Sequence, residues 1–325
     1  MPSTLKKIKC HERPITNVLY NSDGDLIFTS SKDSTSSVIR SDGSPLGIYS
    51  GHDGSIFSIS LSPDSLHLFS GSADQTVIDW DVETGTPISR LDIGSVVKGL
   101  DSFNENLLIG VSDDSMGLQR SLFLYDNRIK KVNILSNPSF NSTGVFGDFT
   151  SNFLILSDSQ GQVHKFDLRN LNFIKKMEIH SEKISSISPS LCRTFFITSS
   201  SDSQAKIVDL EDFTIKKIFV SEEPVNNSKI FPMNDKVICV GGVPARDVTT
   251  TKGKSTIDTS FFDIITCERV GYFSTHYGTI NSVDVHPLGK EYCSAGEEGI
   301  LHIVGLGEEE EEEVGFFKAP FTKIE

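Results

Sequence analysis

Residues 51–81 read GHDGSIFSISLSPDSLHLFSGSADQTVIDWD, from Gly51-His52 to Trp80-Asp81. Three short apolar runs, 56–60, 66–70 and 77–81, are set apart by the turn signal Ser62-Pro63-Asp64 and by a polar corner around Asp74. A further turn signal, Glu83-Thr84-Gly85, follows. Short runs of this kind between turn residues predict antiparallel strands rather than helices.

The stretch is one copy of a repeating pattern. His52 precedes Asp74 by 22 residues, and the same interval separates His11 from Asp33, His180 from Asp202 and His276 from Glu298. His11 and His52 lie 41 residues apart, His52 and His180 lie 128 apart, and His180 and His276 lie 96 apart. These distances are one period of 41, three of about 43 and two of 48 residues, within the ~40–48-residue repeat of a WD-type β-propeller. Each unit is a four-stranded sheet that cannot bury its faces alone, so every unit reuses the same fixings. The loop histidine is expected to hydrogen-bond the acidic residue between the second and third strands, with a Ser or Thr and a Trp completing the network. Residues 51–81 carry the full set: His52, Ser70 or Ser72, Asp74 and Trp80. Buried polar groups of this kind must be paired.

Seven such units need about 300 residues, which the chain of 325 supplies with little left over. The expected fold is therefore all-β, a single seven-bladed WD-repeat propeller over residues 1–306. A tail of residues 307–325 follows, acidic and then Phe-containing. The N-terminal residues are expected to supply the outer strand of the last unit. Asp92 falls where the third unit's histidine belongs, residues 113–119 read as an inserted loop, and Gln160 stands where the fourth unit's turn acid belongs. A polar insertion at 243–258 interrupts the sixth unit.

The net charge is −14, and six of the acidic residues form the run 308–313. Such a balance argues against a direct grip on a nucleic-acid backbone, so no direct DNA binding is expected. The five cysteines are scattered and form no Cys-x-x-Cys pair, which predicts reduced thiols and no zinc site of that type. No apolar run reaches membrane-spanning length, so no membrane partner is expected. The His–acid pairs could suggest general-base chemistry, but pairs repeated around a ring read as structural hydrogen bonds. No Gly-x-Ser-x-Gly elbow occurs, and Lys252-Gly253-Lys254 lacks phosphate-loop spacing. No catalytic residue, cofactor or metal site is expected. Paired lysines at 130–131, 175–176 and 216–217 read as charge that blunts exposed sheet edges, with RNA contact as the sharper alternative.

Several segments carry a more specific resemblance. They are HERPIT (11–16), GDLIFTSSKD (24–33), LGIYSGH (46–52), GGVPARDVTTT (241–251) and GTINSV (278–283). Together they resemble the WD-repeat family of subunit i of eukaryotic translation initiation factor 3, over about residues 8–305. The insertion with Arg246-Asp247-Val248-Thr249-Thr250-Thr251 is the part that generic WD repeats lack. The resemblance implies a non-enzymatic cytoplasmic scaffold. It implies docking of a C-terminal helix of subunit b and a segment of subunit g, with the 40S ribosome reached only through the complex. It also implies partner contacts on blades five and six, at Ile207 and Asp209 and at Arg246 and Asp247. Ile39 departs from the strand-c Trp, and the third and fourth units and the tail depart from the pattern. Another WD-repeat adaptor, of the receptor-kinase-associated type, is the alternative, and a propeller enzyme a more remote one.

Overall fold

The computed structural model describes residues 2–104, 106–114, 117–136, 140–148, 152–169, 172–243 and 257–307. The described strands form seven four-stranded antiparallel sheets. β1 (Pro2–Lys9) comes first and belongs to the last sheet. Blade one is β2 (Ile15–Tyr20), β3 (Leu26–Ser31), β4 (Thr35–Arg40) and β5 (Pro45–Ser50). Blade two is β6 (Ile56–Leu61), β7 (His67–Ser72), β8 (Thr76–Asp81) and β9 (Pro87–Asp92). Blade three is β10 (Val97–Asn104), β11 (Leu107–Ser112), β12 (Leu122–Asp126) and β13 (Lys131–Ser136). Blade four is β14 (Ser142–Asp148), β15 (Phe153–Asp158), β16 (Gln162–Asp167) and β17 (Phe173–Glu178). Blade five is β18 (Ile184–Pro189), β19 (Phe195–Ser200), β20 (Gln204–Asp209) and β21 (Ile215–Val220). Blade six is β22 (Val225–Ile230), β23 (Lys236–Gly241), β24 (Thr259–Asp263) and β25 (Arg269–Phe273). Blade seven is β26 (Ile280–Val285), β27 (Glu291–Gly296) and β28 (Ile300–Leu306), completed by β1.

The sequence repeat and the sheet are offset by one strand. Residues 45–50 and 87–92 pair backwards, onto β4 and β8, rather than with the strands that follow them. Carried round the ring, this offset leaves the last sheet without an outer strand. β1 fills the place, with Leu5 opposite Val304 and Ile8 opposite Leu301. The N-terminal strand thus completes the last sheet, as the sequence led us to expect.

The core lies between blades rather than within them. Seven apolar clusters are resolved, each spanning two neighbouring blades. Phe28 and Tyr49 of blade one meet Ile59 and Trp80 of blade two. Phe146 of blade four meets Phe196 of blade five, with ring centroids 5.4 Å apart. The second strand of each blade is sandwiched on both faces. β3, β7, β11, β15, β19, β23 and β27 each show a half-buried first residue followed by five buried ones. A strand covered on both faces needs a continuous apolar or small-polar run, not alternation.

Each innermost strand carries a bulge after its first residue, in all seven blades. A bulge leaves one residue unpaired and re-aims it. Those seven residues, Thr16, Phe57, Lys98, Thr143, Ser185, Asn226 and Asn281, line the axial channel, a space of about 230 Å³. Side chains cross from one inner strand to the next. Ser58 Oγ accepts from the Leu100 amide at 3.1 Å, Asp101 Oδ2 from Gly147 at 2.9 Å, and Asp284 Oδ2 from Tyr20 at 2.8 Å. Inner-strand amides that would otherwise be unpaired in a confined channel thereby find acceptors.

Candidate functional site

The repeated histidines are buried and engaged. His52 Nδ1 lies 2.8 Å from Asp74 Oδ2, and its Nε2 lies 2.8 Å from Ser70 Oγ. Trp80 Nε1 donates to that same Ser70 oxygen at 2.8 Å. Of the two serines open from sequence, Ser70 joins the histidine. Ser72 instead ties the Gly54 carbonyl to the Asp74 amide. His11 meets Asp33 at 3.0 Å and Thr29 at 2.9 Å, and His180 meets Asp202 and Thr198, both at 2.9 Å. Thr76 also donates to Asp74, and Thr35 to Asp33. These hydroxyls were not foreseen, although a Thr two residues after the acid is visible in both repeats. Burial alone would raise the Asp74 carboxyl, but the Thr76 and His52 hydrogen bonds outweigh it and hold it below the usual carboxylate range. Burial pushes His11 and His180 below their ordinary value of 6.5, against the pull of Asp33 and Asp202. Each ring is walled in by its own blade, with no side-chain exposure in His11, His52 or His180. Each of these pairs joins the loop before its blade to the corner between the second and third strands.

The fourth pair behaves differently. His276 Nε2 contacts Ser294 Oγ at 2.9 Å, but its Nδ1 stands 3.7 Å from Glu298 Oε2. Blades three and four replace the motif. Asp92, expected in the histidine's place, caps its own turn through the Gly94 amide at 3.0 Å. The buried Ile93, four residues before β10, holds the position instead. The register error arises because a 40-residue count is one short of the 41-residue step between His11 and His52. In blade four the acid moves two residues upstream. Asp158, fully buried, accepts from the Gln160 and Gln162 amides, both at 2.8 Å, and from His164 Nε2 at 2.9 Å.

The predicted partner residues divide three ways. Ile207 is 4% exposed and packs against Phe219, Val225 and Phe262 between blades five and six. The expected surface contact from its side chain therefore gives way to a core role, because that face of β20 is covered by blade six. Asp209 is half-buried at the end of β20, accepts from the amides of Glu211 and Asp212 at 2.9 and 3.0 Å, and faces Lys216 Nζ at 3.7 Å. Those amides hold its carboxyl below the usual range. Asp81, Asp126, Asp167 and Asp263 end the third strands of blades two, three, four and six with the same turn contacts. Arg246 and Asp247 lie outside the described residues, as does most of the tail.

The apolar surface near Ile207 belongs to β21 and the next turn. Ile215, Ile218 and Val220 are 37%, 44% and 64% exposed, and Ile265 is 73% exposed. The edge lysines are engaged with the neighbouring blade. Lys217 Nζ donates to the Ile265 carbonyl at 2.7 Å, Lys175 to Asp212 at 3.1 Å, and Lys6 to Ser41 at 3.1 Å. These three tether the outer strands of blades five, four and seven to a turn of the following blade, a role that neither edge protection nor RNA contact had suggested. Lys98 lies over the Phe57 ring at 3.7 Å and pairs with Asp113, and Lys229 pairs with Asp284 at 3.3 Å. Among the described residues no helix is long and apolar enough to cross a membrane.

The geometry agrees with what the chain is similar to. The family model EIF3I matches residues 5–310. A Schizosaccharomyces pombe protein, eukaryotic translation initiation factor 3 subunit I, is 32% identical over 307 residues, covering 90% of this chain and 93% of the relative. Its counterpart of the same name in Xenopus tropicalis is 35% identical over 305 residues, with the same coverage. The one from Nematostella vectensis is 33% identical over 300 residues. A seven-bladed propeller matched over nearly its whole length, at this identity, belongs to the family of eukaryotic translation initiation factor 3 subunit I.

Proposed function

We propose that the chain is a non-enzymatic scaffold of translation initiation factor 3, acting in the cytoplasm during initiation of protein synthesis. In this reading it docks the C-terminal helix of subunit b and a segment of subunit g on the outer surface of blades five and six. It meets the 40S ribosome only through the assembled complex. The observation that carries the reading is the exposed apolar row Ile215, Ile218 and Val220 on β21, beside Ile265 and flanked by charge from Lys216, Glu211 and Asp212. Apolar anchors within a charged rim are what a partner helix uses. The walled-in histidines and the tied-down channel charges support a role in holding rather than converting molecules.

The test is capture of the two partner segments by the full chain and by a variant carrying Ile218→Glu with Val220→Glu. Both side chains face solvent, so the variant should melt within about 0.5 kcal/mol of the unmutated protein. Capture should fall at least tenfold. Undiminished capture by the folded variant would move the site elsewhere, and failure of the unmutated chain to hold either segment would remove these partners.

A further inference from the structure

Blade seven alters the shared histidine fixing in a way that leaves ligands over. In blades one, two and five the loop histidine has both nitrogens occupied, Nδ1 by an aspartate and Nε2 by a hydroxyl. In blade seven the acid is Glu298, longer by one methylene. Its Oε1 accepts from the Tyr277 amide and, at 2.7 Å, from the Gly278 amide. Its Oε2 is left 3.7 Å from His276 Nδ1, beyond hydrogen-bond reach. The third strand differs as well. The residue two places inside the strand, Ser37 in blade one, Ile78 in blade two and Lys206 in blade five, is here His302. Its ring stacks on that of His276 with centroids 3.8 Å apart. His302 is 1% exposed, and neither of its nitrogens has a hydrogen-bond partner; His276 Nδ1 has none either. Three buried imidazole nitrogens without partners in one place call for a ligand, since each costs the free energy of a lost hydrogen bond.

We propose that His276, Glu298 and His302 form a binding site for a divalent transition-metal ion of the zinc class. One donor atom from each residue lies within 4.8 Å of the other two. Two imidazole nitrogens and one carboxylate oxygen are a donor set that zinc accepts, with a water in the fourth position. His276 is prepared for the role: with Nε2–H donating to Ser294 Oγ, Nδ1 presents a lone pair toward Glu298. That is the opposite tautomer from the one that donates Nδ1–H to aspartate in the other blades, and the Ser294 hydroxyl, which can accept as well as donate, admits it. Metal–ligand bonds of about 2.0–2.2 Å require the donors to draw together and the two rings to turn out of their stack. Side-chain rotation supplies that movement. The ion would tie the loop before β26 to β28, in the blade that β28 shares with β1, and its binding would stabilise ring closure.

The test uses the full chain, stripped with a chelator, and Zn(II) alone as the probe. Calorimetry should show one bound equivalent, and Zn(II) should raise the melting midpoint by several degrees. Co(II) in its place should give the weak visible bands of nitrogen and oxygen ligation without a thiolate charge-transfer band, which separates this site from the five cysteines. His302→Ile, which installs the blade-two residue, should lose at least tenfold in affinity and lose the melting shift. Should that variant not fold, Glu298→Gln decides, because it keeps the acceptor for the two amides and removes the charged ligand. Absence of any Zn(II)-dependent shift in the unmutated chain, a thiolate band with Co(II), or unchanged affinity in a folded variant would each overturn the proposal.

Discussion

Blades two and four build the same sheet from different fixings. Blade two has the loop histidine, the turn acid Asp74 and the strand-c Trp80, all joined through Ser70. Blade four has Gln160 at the turn and moves its acid to the end of β15, where Asp158 draws in His164 from β16. The His164 ring also stacks on Phe140 at 3.8 Å. What the two share is a carboxylate closing the corner between second and third strands, and an apolar cluster on each side. The difference teaches that the blade is specified by interblade burial, and that the polar corner can be satisfied in more than one way.

The comparison can be broken first at the apolar contacts. Phe28→Ala, beside blade two, and Phe146→Ala, in blade four, each empty a fully enclosed site between blades. Each should cost about 4 kcal/mol, the usual loss for a buried phenylalanine. Chemical denaturation of both variants checks this, and a cost at Phe146 far below that at Phe28 would show that the drifted blades are loosely packed. The polar corners come next. Asp158→Ala strands two amides and a buried histidine and should cost about 3 kcal/mol. Asp74→Ala leaves a corner closer to solvent and should cost about 2 kcal/mol. A neutral Asp158→Ala would reduce the blade-four corner to an accident of sequence.

How much of this was legible follows from the same contrast. The 22-residue spacing located the corner in blades one, two and five, because histidine and aspartate are both visible when they keep their interval. It misled where a compensating pair took over: nothing in the interval rule points to Asp158 and His164, six residues apart on adjoining strands. The closure by β1 followed from the offset between repeat and sheet. The seven bulges were not visible, since Thr16, Phe57, Lys98 and their counterparts share no residue type. The partner residues suffered a different loss. A family match at Ile207 fixes its position in the strand but not its direction, and β20 turns that side chain into the core.

Acid should sharpen the comparison next. His11 and His180 are held below 6.5 by burial, so the unfolded chain binds their protons first. Their contribution is complete above pH 6.5 and is lost as the pH falls below that value. Urea unfolding at pH 7.5 and 5.5 should show that loss. His180→Gln, which removes one titrating ring, should flatten the profile, and a slope unchanged by it would assign the acid sensitivity to other groups.

The smallest effect on stability is expected at Asp209, and it matters most for the outer surface. The carboxylate does two jobs: it accepts from two turn amides and it faces Lys216. Asp209→Lys would remove both, so a loss of partner capture by that variant would not say which mattered. Asp209→Asn separates them, because an amide oxygen still accepts from the turn while the charge is gone. The ion pair is largely in water, where such pairs contribute about 0–1 kcal/mol, so Asn should melt within about 0.5 kcal/mol of the unmutated chain. If subunit b or g reads the charge, capture by Asp209→Asn should drop severalfold and the drop should shrink at high salt. If capture is unchanged, Asp209 belongs with Asp81, Asp126, Asp167 and Asp263 as a turn cap, and the specificity of this edge rests on Ile215, Ile218 and Val220.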